Sequence, residues 1–234
     1  MFPTLTAASR DALVRVGRPR EFRPGEVVFH QGDPCDSLFL LRLGRVAVHV
    51  LTPDGDDATI GLIAAPDAFG EVGLIRADHH HTATVVALDD VLVLAVLASR
   101  FHDLRADHPD LTEWLLVTLT RRLERTSALL ADALFLDAEH RVARRLLDCQ
   151  CSFGVDSDGS LPLAQDDLAA MAGVSRPTAN RVLRHLEDQG SVRLGRRHIT
   201  IADLESLAAQ PPLGVVIGGG GALPSTIACA GQRD

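Results

Sequence analysis

Residues Leu163 to Ile201 read LAQDDLAAMAGVSRPTANRVLRHLEDQGSVRLGRRHITI, and the punctuation of this stretch decides the architecture. A short helical run from Gln165 to Ala172 stops at Gly173, a residue that enters left-handed backbone without steric cost. Ser175 follows, a residue type that caps helices with its side-chain oxygen. From that cap, Ala179, Val182, Leu183 and Leu186 recur at helical spacing, while Arg176, Pro177, Asn180, Arg181 and Arg184 fall on the opposite side. After Gly190 the segment Val192 to Ile201 alternates around Gly195, as a two-stranded hairpin does. Helix, tight turn, helix and basic hairpin in that order make a winged helix-turn-helix, whose second helix enters a major groove.

Arginine suits that helix because its planar fork donates two hydrogen bonds to a guanine edge. Arg176 and Arg181 are the base-reading candidates, with Ser175, Thr178, Asn180 and Arg184 beside them. Arg193, Arg196 and Arg197 on the hairpin are placed to meet phosphate, which positions a protein without reading sequence. The net charge of −8 argues against nucleic acid only if charge is spread evenly. It is not: Val174 to Ile201 carries six arginines against Glu187 and Asp188, so 6 − 2 = +4, whereas Met1 to Asp137 carries thirteen arginines against twenty acids. A basic footprint confined to one segment is what a local nucleic-acid surface needs. The plainer alternative is a solvated basic face on a three-helix domain.

At 234 residues and 46% hydrophobic composition the chain can bury one large or two ordinary cores. No apolar run is long enough to span a bilayer, and the amino terminus lacks a basic region followed by an apolar core and a cleavage site, so no membrane association and a cytoplasmic location are expected. Cys35, Cys149, Cys151 and Cys229 are too few and too scattered for a disulfide framework. Cys149 and Cys151 lack the second pair that a metal site requires.

Between Phe22 and Leu97 the pattern changes to short apolar runs broken by glycine, proline and aspartate: Glu26 to Phe29, Leu38 to Leu41, Val46 to Leu51 and Val91 to Val96. Gly32-Asp33 and Gly44 mark reversals, and Pro53-Asp54-Gly55-Asp56 is a hairpin tip between Val50 and Ile60. Strands at that spacing predict a small antiparallel jelly roll, and with the helical remainder an α+β fold. Within it stands Phe69-Gly70-Glu71-Val72-Gly73-Leu74, with His81-Thr82-Ala83-Thr84 beginning ten residues after Glu71.

Pro24-Gly25-Glu26, Gly32-Asp33, Gly44-x-Val46 and Phe69-Gly70-Glu71, in this order, resemble a cyclic-nucleotide-binding domain. With the winged helix behind them, the chain from about Arg20 to Ile201 resembles the Crp/Fnr superfamily, that of the cAMP receptor protein. In that family a glycine amide and an arginine hold the cyclic phosphate, a glutamate accepts from the ribose hydroxyl, and a serine or threonine beside the arginine adds a phosphate contact. The resemblance implies that Gly70 and Glu71 take the amide and ribose roles, and that Thr82 and Ala83 follow the arginine position. That position is held by His81. Histidine is charged only near or below its ordinary pKa of about 6.5. Losing a bidentate clamp costs about 1.5 to 3 kcal/mol. Three outcomes stay open: a cyclic nucleotide such as cAMP or cGMP, another small ligand, or none. His79-His80-His81 also raises a cupin-type metal centre, but successive strand residues point to opposite faces and three in a row cannot converge on one ion.

Asp110 opens a helical pattern that runs to about Leu136, with Leu116, Leu119, Leu123, Thr126, Leu130 and Ala133 alternating three and four apart, a heptad seam suited to a homodimer. Thr126-Ser127 resembles the family's threonine-serine pair that touches the adenine base, although either hydroxyl can simply bond back to the preceding turn. Asp137 marks a hinge, and Glu139 to Cys151 carries Val142, Ala143, Leu146 and Leu147 on one face. The expected organisation is a sensor domain over 1–109, a dimerisation helix over 110–137, a winged helix-turn-helix over 138–210 and a disordered tail over 211–234, whose Gly218 to Gly221 run is followed by no Lys-Ser or Lys-Thr. The reading is a homodimeric transcription regulator, not an enzyme, bound to double-stranded DNA at a palindromic operator and expected to meet RNA polymerase. Its rivals are a metal-dependent cupin-like enzyme and a ligand-binding module without DNA binding. The family's frequent Ser-Arg-Glu entry is here Ser175-Arg176-Pro177, which removes a carboxylate that would accept from cytosine.

Overall fold

Strands built from alternating apolar residues pair into two antiparallel four-stranded sheets in the first part of the chain. The computed structural model describes residues 5–52, 54, 57–75, 78–153, 160–161, 163–195 and 198–208. Helix α1 (Ala7–Val16) leads into β1 (Arg18–Phe22), β2 (Val27–Phe29), β3 (Ser37–Leu43), β4 (Arg45–Leu51), β5 (Asp57–Ala64) and β6 (Asp67–Phe69). After α2 (Glu71–Ile75) come β7 (Thr84–Ala87), β8 (Val91–Leu97), α3 (Ala98–Asp107) and the long α4 (Asp110–Phe135). One sheet runs β1-β8-β3-β6 and the other β2-β7-β4-β5. Of the expected hairpin tip between β4 and β5, Pro53, Gly55 and Asp56 lie outside the described residues.

Period-two alternation tells the two faces of the first sheet apart. Phe39 and Leu41 of β3, with Val91 and Val93 of β8, join the core between the sheets together with Phe22, Val46, Phe69 and Val85. Leu38 and Leu40, with Leu94 and Val96, point the other way and are covered by Leu13, Phe101, Leu111 and Trp114 of the helices. A sheet buried on both faces explains why Leu38 to Leu41 is an unbroken apolar run.

The chain forms two compact units divided between Thr126 and Ser127. In the second, α5 (Ala138–Phe153), β9 (Ser160–Leu161), α6 (Gln165–Ala172), α7 (Arg176–Asp188), β10 (Val192–Gly195), β11 (His198–Ile201) and α8 (Leu204–Ala208) follow in order. Helices α5, α6 and α7 pack on one another. Val142, Ala143, Leu146 and Leu147 of α5 are buried, as their spacing predicts, and so are Ala179, Val182, Leu183 and Leu186 of α7. The hairpin is a three-stranded sheet in the order β10-β11-β9, not a two-stranded one. The third strand pairs Leu161 with Ile199 and Ser160 with Thr200, a two-residue contribution too short to announce itself in sequence. The tail over 211–234 lies outside the described residues.

Candidate functional site

Within the jelly roll, the turn after β6 is built around Gly70 at φ +87°. A Cβ there would stand 3.1 Å from the Ser37 carbonyl and 3.2 Å from the Phe39 ring, so only glycine lets the chain pass into α2 at this point. The next residue, Glu71, is 1% exposed. Its Oε1 accepts from Nη1 of Arg122 on α4, and Nη2 of the same guanidinium donates to the Ala68 carbonyl. Oε2 has no hydrogen-bond partner among the described residues. Burial lifts the Glu71 carboxyl above the ordinary carboxylate range, and the Arg122 charge pulls against that lift.

His81 sits beside Gly70, with its Cε1 3.8 Å from where a Gly70 Cβ would be. The ring stacks on Phe29 at a centroid distance of 3.5 Å and an interplanar angle of 8°. Its backbone is clamped on both sides: His81 N–H donates to the Asp33 carbonyl at 2.9 Å, and the His81 carbonyl accepts from Gly32 N–H at 2.8 Å. Burial lowers the His81 pKa, while Asp33 and Asp36 act to raise it. The neutral ring is therefore favoured, and protonation is shifted toward lower pH than for an ordinary histidine. Thr82 is exposed and Ala83 is buried. A cleft of about 370 Å³ opens beside them, lined by Gln31, Gly32, Asp78, His80, His81 and Thr82. The three consecutive histidines separate: His79 takes φ 47°, His80 turns its Nδ1 onto the Asp78 carbonyl, and His81 goes under Phe29. On α4, the Thr126 hydroxyl donates to the Arg122 carbonyl at 2.9 Å, the silent back-bonding pattern, and Ser127 is exposed.

Arg122 is the residue that sequence reasoning passed over. It looks like one flanking charge of a heptad seam, and its partner lies 51 residues away. The available signal was Glu71 itself, since a carboxylate on a strand-to-helix turn of a jelly roll needs a counter-charge if it is buried.

The second surface belongs to the helix-turn-helix. Gly173 closes α6 in left-handed backbone at φ 59° and ψ 43°, and the N–H groups of Gly173 and Val174 return to the carbonyls of Ala170 and Ala169. Ser175 caps α7, accepting from Thr178 N–H at 3.3 Å, and the two hydroxyls lie 2.9 Å apart. Pro177 sits in the first turn, where its missing N–H costs nothing. Opposite the buried stripe, Arg176, Arg181 and Arg184 are exposed, with Thr178 and Asn180 half-buried. A shallow groove of about 480 Å³ runs along this face past Pro177, Asn180, Arg181, Arg184, His185 and Asp188. Arg176 Nε pairs with Asp166 Oδ1 of α6 at 2.8 Å, and Arg184 Nε donates to Asn180 Oδ1 at 3.1 Å. Arg181 makes no ion pair among the described residues. Leu194 N–H donates to Glu187 Oε1 at 2.9 Å, which ties the hairpin to the end of α7. Arg193 is exposed on β10, and Arg196 and Arg197 lie outside the described residues.

Two further observations concern the long helix and the capacity to span a membrane. Leu116, Leu123 and Leu130, seven residues apart on α4, are 61%, 68% and 60% exposed. Leu119, expected in the same seam, is partly buried against the helical layer that covers the outer face of the first sheet. No helix among the described residues is long and apolar enough to cross a membrane.

Comparison with known proteins agrees with this geometry. Residues 19–108 match the cyclic nucleotide-binding domain family, and residues 140–210 match the Crp-like helix-turn-helix domain family. The chain is 32% identical over 203 residues to a CRP-like cAMP-activated global transcriptional regulator of Mycobacterium tuberculosis, across 85% of this chain and 90% of that one. It is 30% identical over 214 residues to the cyclic AMP receptor protein of Thermus thermophilus, across 89% and 96%. The solved structure of the c-di-GMP-responsive global regulator CLP of Xanthomonas campestris shares the fold at a TM-score of 0.75 and 22% identity, covering 84% of this chain and 99% of that one. A nucleotide-type jelly roll followed by a Crp-like reader, and the extent of identity with regulators of that build, set the enzyme alternative aside: the chain belongs to the Crp/Fnr superfamily of bacterial transcription regulators.

Proposed function

We propose that this regulator is a cytoplasmic homodimer that binds a palindromic duplex, reads bases with Arg181 and Arg176, and answers to a cyclic nucleotide held in its jelly roll. The observation that carries the DNA reading is the split of α7 into a fully buried apolar stripe and a face that exposes Arg176, Arg181 and Arg184. Two such helices related by a two-fold axis meet successive major grooves about 34 Å apart, which is why the operator is expected to be palindromic. The exposed leucines at heptad spacing on α4 support the homodimer, since large apolar side chains left in water want a partner surface. RNA polymerase is the expected partner of a regulator so placed on DNA.

For the effector, Glu71 supports a ligand that brings a hydroxyl. Its Oε2 is buried without a hydrogen-bond partner among the described residues, and a buried acceptor left unpaired is costly. Arg122, already at Glu71, brings positive charge to that carboxylate. A cyclic nucleotide carries both the hydroxyl and the anionic group. Relatives described as cAMP-activated point in the same direction.

Selection of bound sequences from random duplexes, with millimolar cAMP, with cGMP and without either, tests the proposal. An enriched palindrome that Arg181→Ala abolishes is expected. A wild-type protein that enriches no motif under any condition overturns it.

A further inference from the structure

We propose that Asp166 is a positioning residue for base reading, one that aims the Arg176 guanidinium before DNA arrives. The inference deepens the DNA-binding reading above and rests on it. Arg176 is the first residue of α7, and Asp166 stands in the first turn of α6. Their contact joins Nε to Oδ1 at 2.8 Å although both side chains are largely in water, at 72% and 57% exposure. Ion pairs that open to solvent are screened and contribute little to stability, so holding the domain together does not account for the pair.

Geometry gives it a different use. The guanidinium is a rigid plane with five N–H donors, and a guanine edge takes two parallel donations from such a fork. With Nε held 2.8 Å from the Asp166 carboxylate by charge, the swing of the group is restricted, and the Nη end is left to donate outward. An untethered arginine has to give up its rotamer freedom on binding, whereas a tethered one has already done so. Arg184 is held by a hydrogen bond instead, its Nε donating to Asn180 Oδ1 at 3.1 Å. Arg181, without an ion pair among the described residues, serves as the internal reference.

Asp166 also carries a negative charge toward a surface meant for phosphate, and that acts against every duplex alike. The two effects separate cleanly. Removing the side chain raises or leaves unchanged the affinity for random DNA, yet flattens discrimination at a single base pair in each half-site.

The test uses the full chain on the selected operator, on its single-base variants and on random duplex, for wild type, Asp166→Ala, Asp166→Asn, Arg176→Ala and the Asp166→Ala/Arg176→Ala pair. Asp166→Ala is expected to lose about 5- to 10-fold discrimination at the base pair that Arg176→Ala also affects, the scale of one bidentate contact. Asp166→Asn keeps the shape but not the charge that draws Nε and is expected to lose that discrimination as well, and the double variant to be no worse there than Arg176→Ala alone. Base preferences unchanged in Asp166→Ala, with only a uniform rise in affinity, overturn the proposal. So does a loss spread over all positions together with a lowered melting temperature, or an Arg176→Ala variant that reads as wild type does. Failure of the wild type to enrich any motif is a separate outcome that removes the DNA reading itself, and this inference with it.

Discussion

Arg122 reaches from α4 onto Glu71 and engages Oε1, so the second carboxylate oxygen stays buried without a hydrogen-bond partner among the described residues. Breaking a buried pair from one side leaves the other charge uncompensated, a cost of about 3 kcal/mol or more. Arg122→Met is therefore expected to lower stability by that order in urea melts. The pH dependence has a definite sign. Burial raises the folded-state pKa of Glu71, so the stability tied to it is fully present below the ordinary carboxylate value and is lost as pH rises through the raised one. Removing Arg122 raises it further. The deficit of the variant should be largest near neutral pH and shrink on acidification toward the ordinary carboxylate range, and a deficit independent of pH would contradict the pairing.

His81 under Phe29 makes a second prediction. Replacing a mostly neutral imidazole with a permanent fork should restore a charge-assisted clamp worth about 1.5 to 3 kcal/mol. By calorimetry, His81→Arg should bind cAMP at least about tenfold more tightly than wild type. An arginine variant that binds no better removes His81 from the phosphate end of the cleft.

Leu123 and Leu130 stand in water at 68% and 60% exposure, so glutamate at either position should leave the fold of the protomer intact. Surface changes of this kind usually stay within about 0.5 kcal/mol. Sedimentation should nevertheless show Leu123→Glu/Leu130→Glu as a monomer where wild type is a dimer, with operator affinity falling along with it. A variant that remains dimeric would place the interface elsewhere.

Asp132 is buried where α4 ends and accepts from Arg145 of α5, with Arg144 3.4 Å from its other oxygen. Arg145 also pairs with Asp148 at 2.8 Å. Burial raises the Asp132 pKa while both arginines lower it. Asp132→Ala leaves a 5% exposed guanidinium with one carboxylate instead of two and should cost about 3 kcal/mol, read as a drop in the unfolding midpoint of the second unit.

Arg181 and Arg193 should separate by the kind of loss they cause. Arg181→Ala is expected to relax preference at one base pair by about 1 to 3 kcal/mol. Arg193→Ala should weaken all sequences alike and reduce the salt slope by about 1. Binding titrations at several salt concentrations distinguish the two.

What could be read from the chain follows from how far each determinant reaches. The bounds of α6, the turn and the stripe of α7 came directly from Gly173, Ser175 and the 3.6-residue repeat, because caps and periodicity are chemistry between near neighbours. Helices α1 and α3 carry weak amphipathic patterns that their packing against β3 and β8 stabilises, and apart from the Thr6 cap of α1 little that is local marks them. Strand β9 exists only through its partner β11. The position of His81 was legible by spacing, but its stacking on Phe29 and its lowered pKa come from a neighbour 52 residues earlier in the chain. The partners of Glu71 and Arg176 were invisible for the same reason: side-chain direction, not residue type, joins them.

The aromatic slab over His81 has a calorimetric consequence. Arginine brings its cation ready-made, whereas an imidazole kept neutral by burial acquires one only when an anion arrives to stabilise it. Where an anionic effector sits against that ring, the imidazole is expected to take up a hydrogen ion from the medium as the effector enters, so the apparent heat of association should change with the ionisation enthalpy of the buffer, and that of the His81→Arg protein should change less.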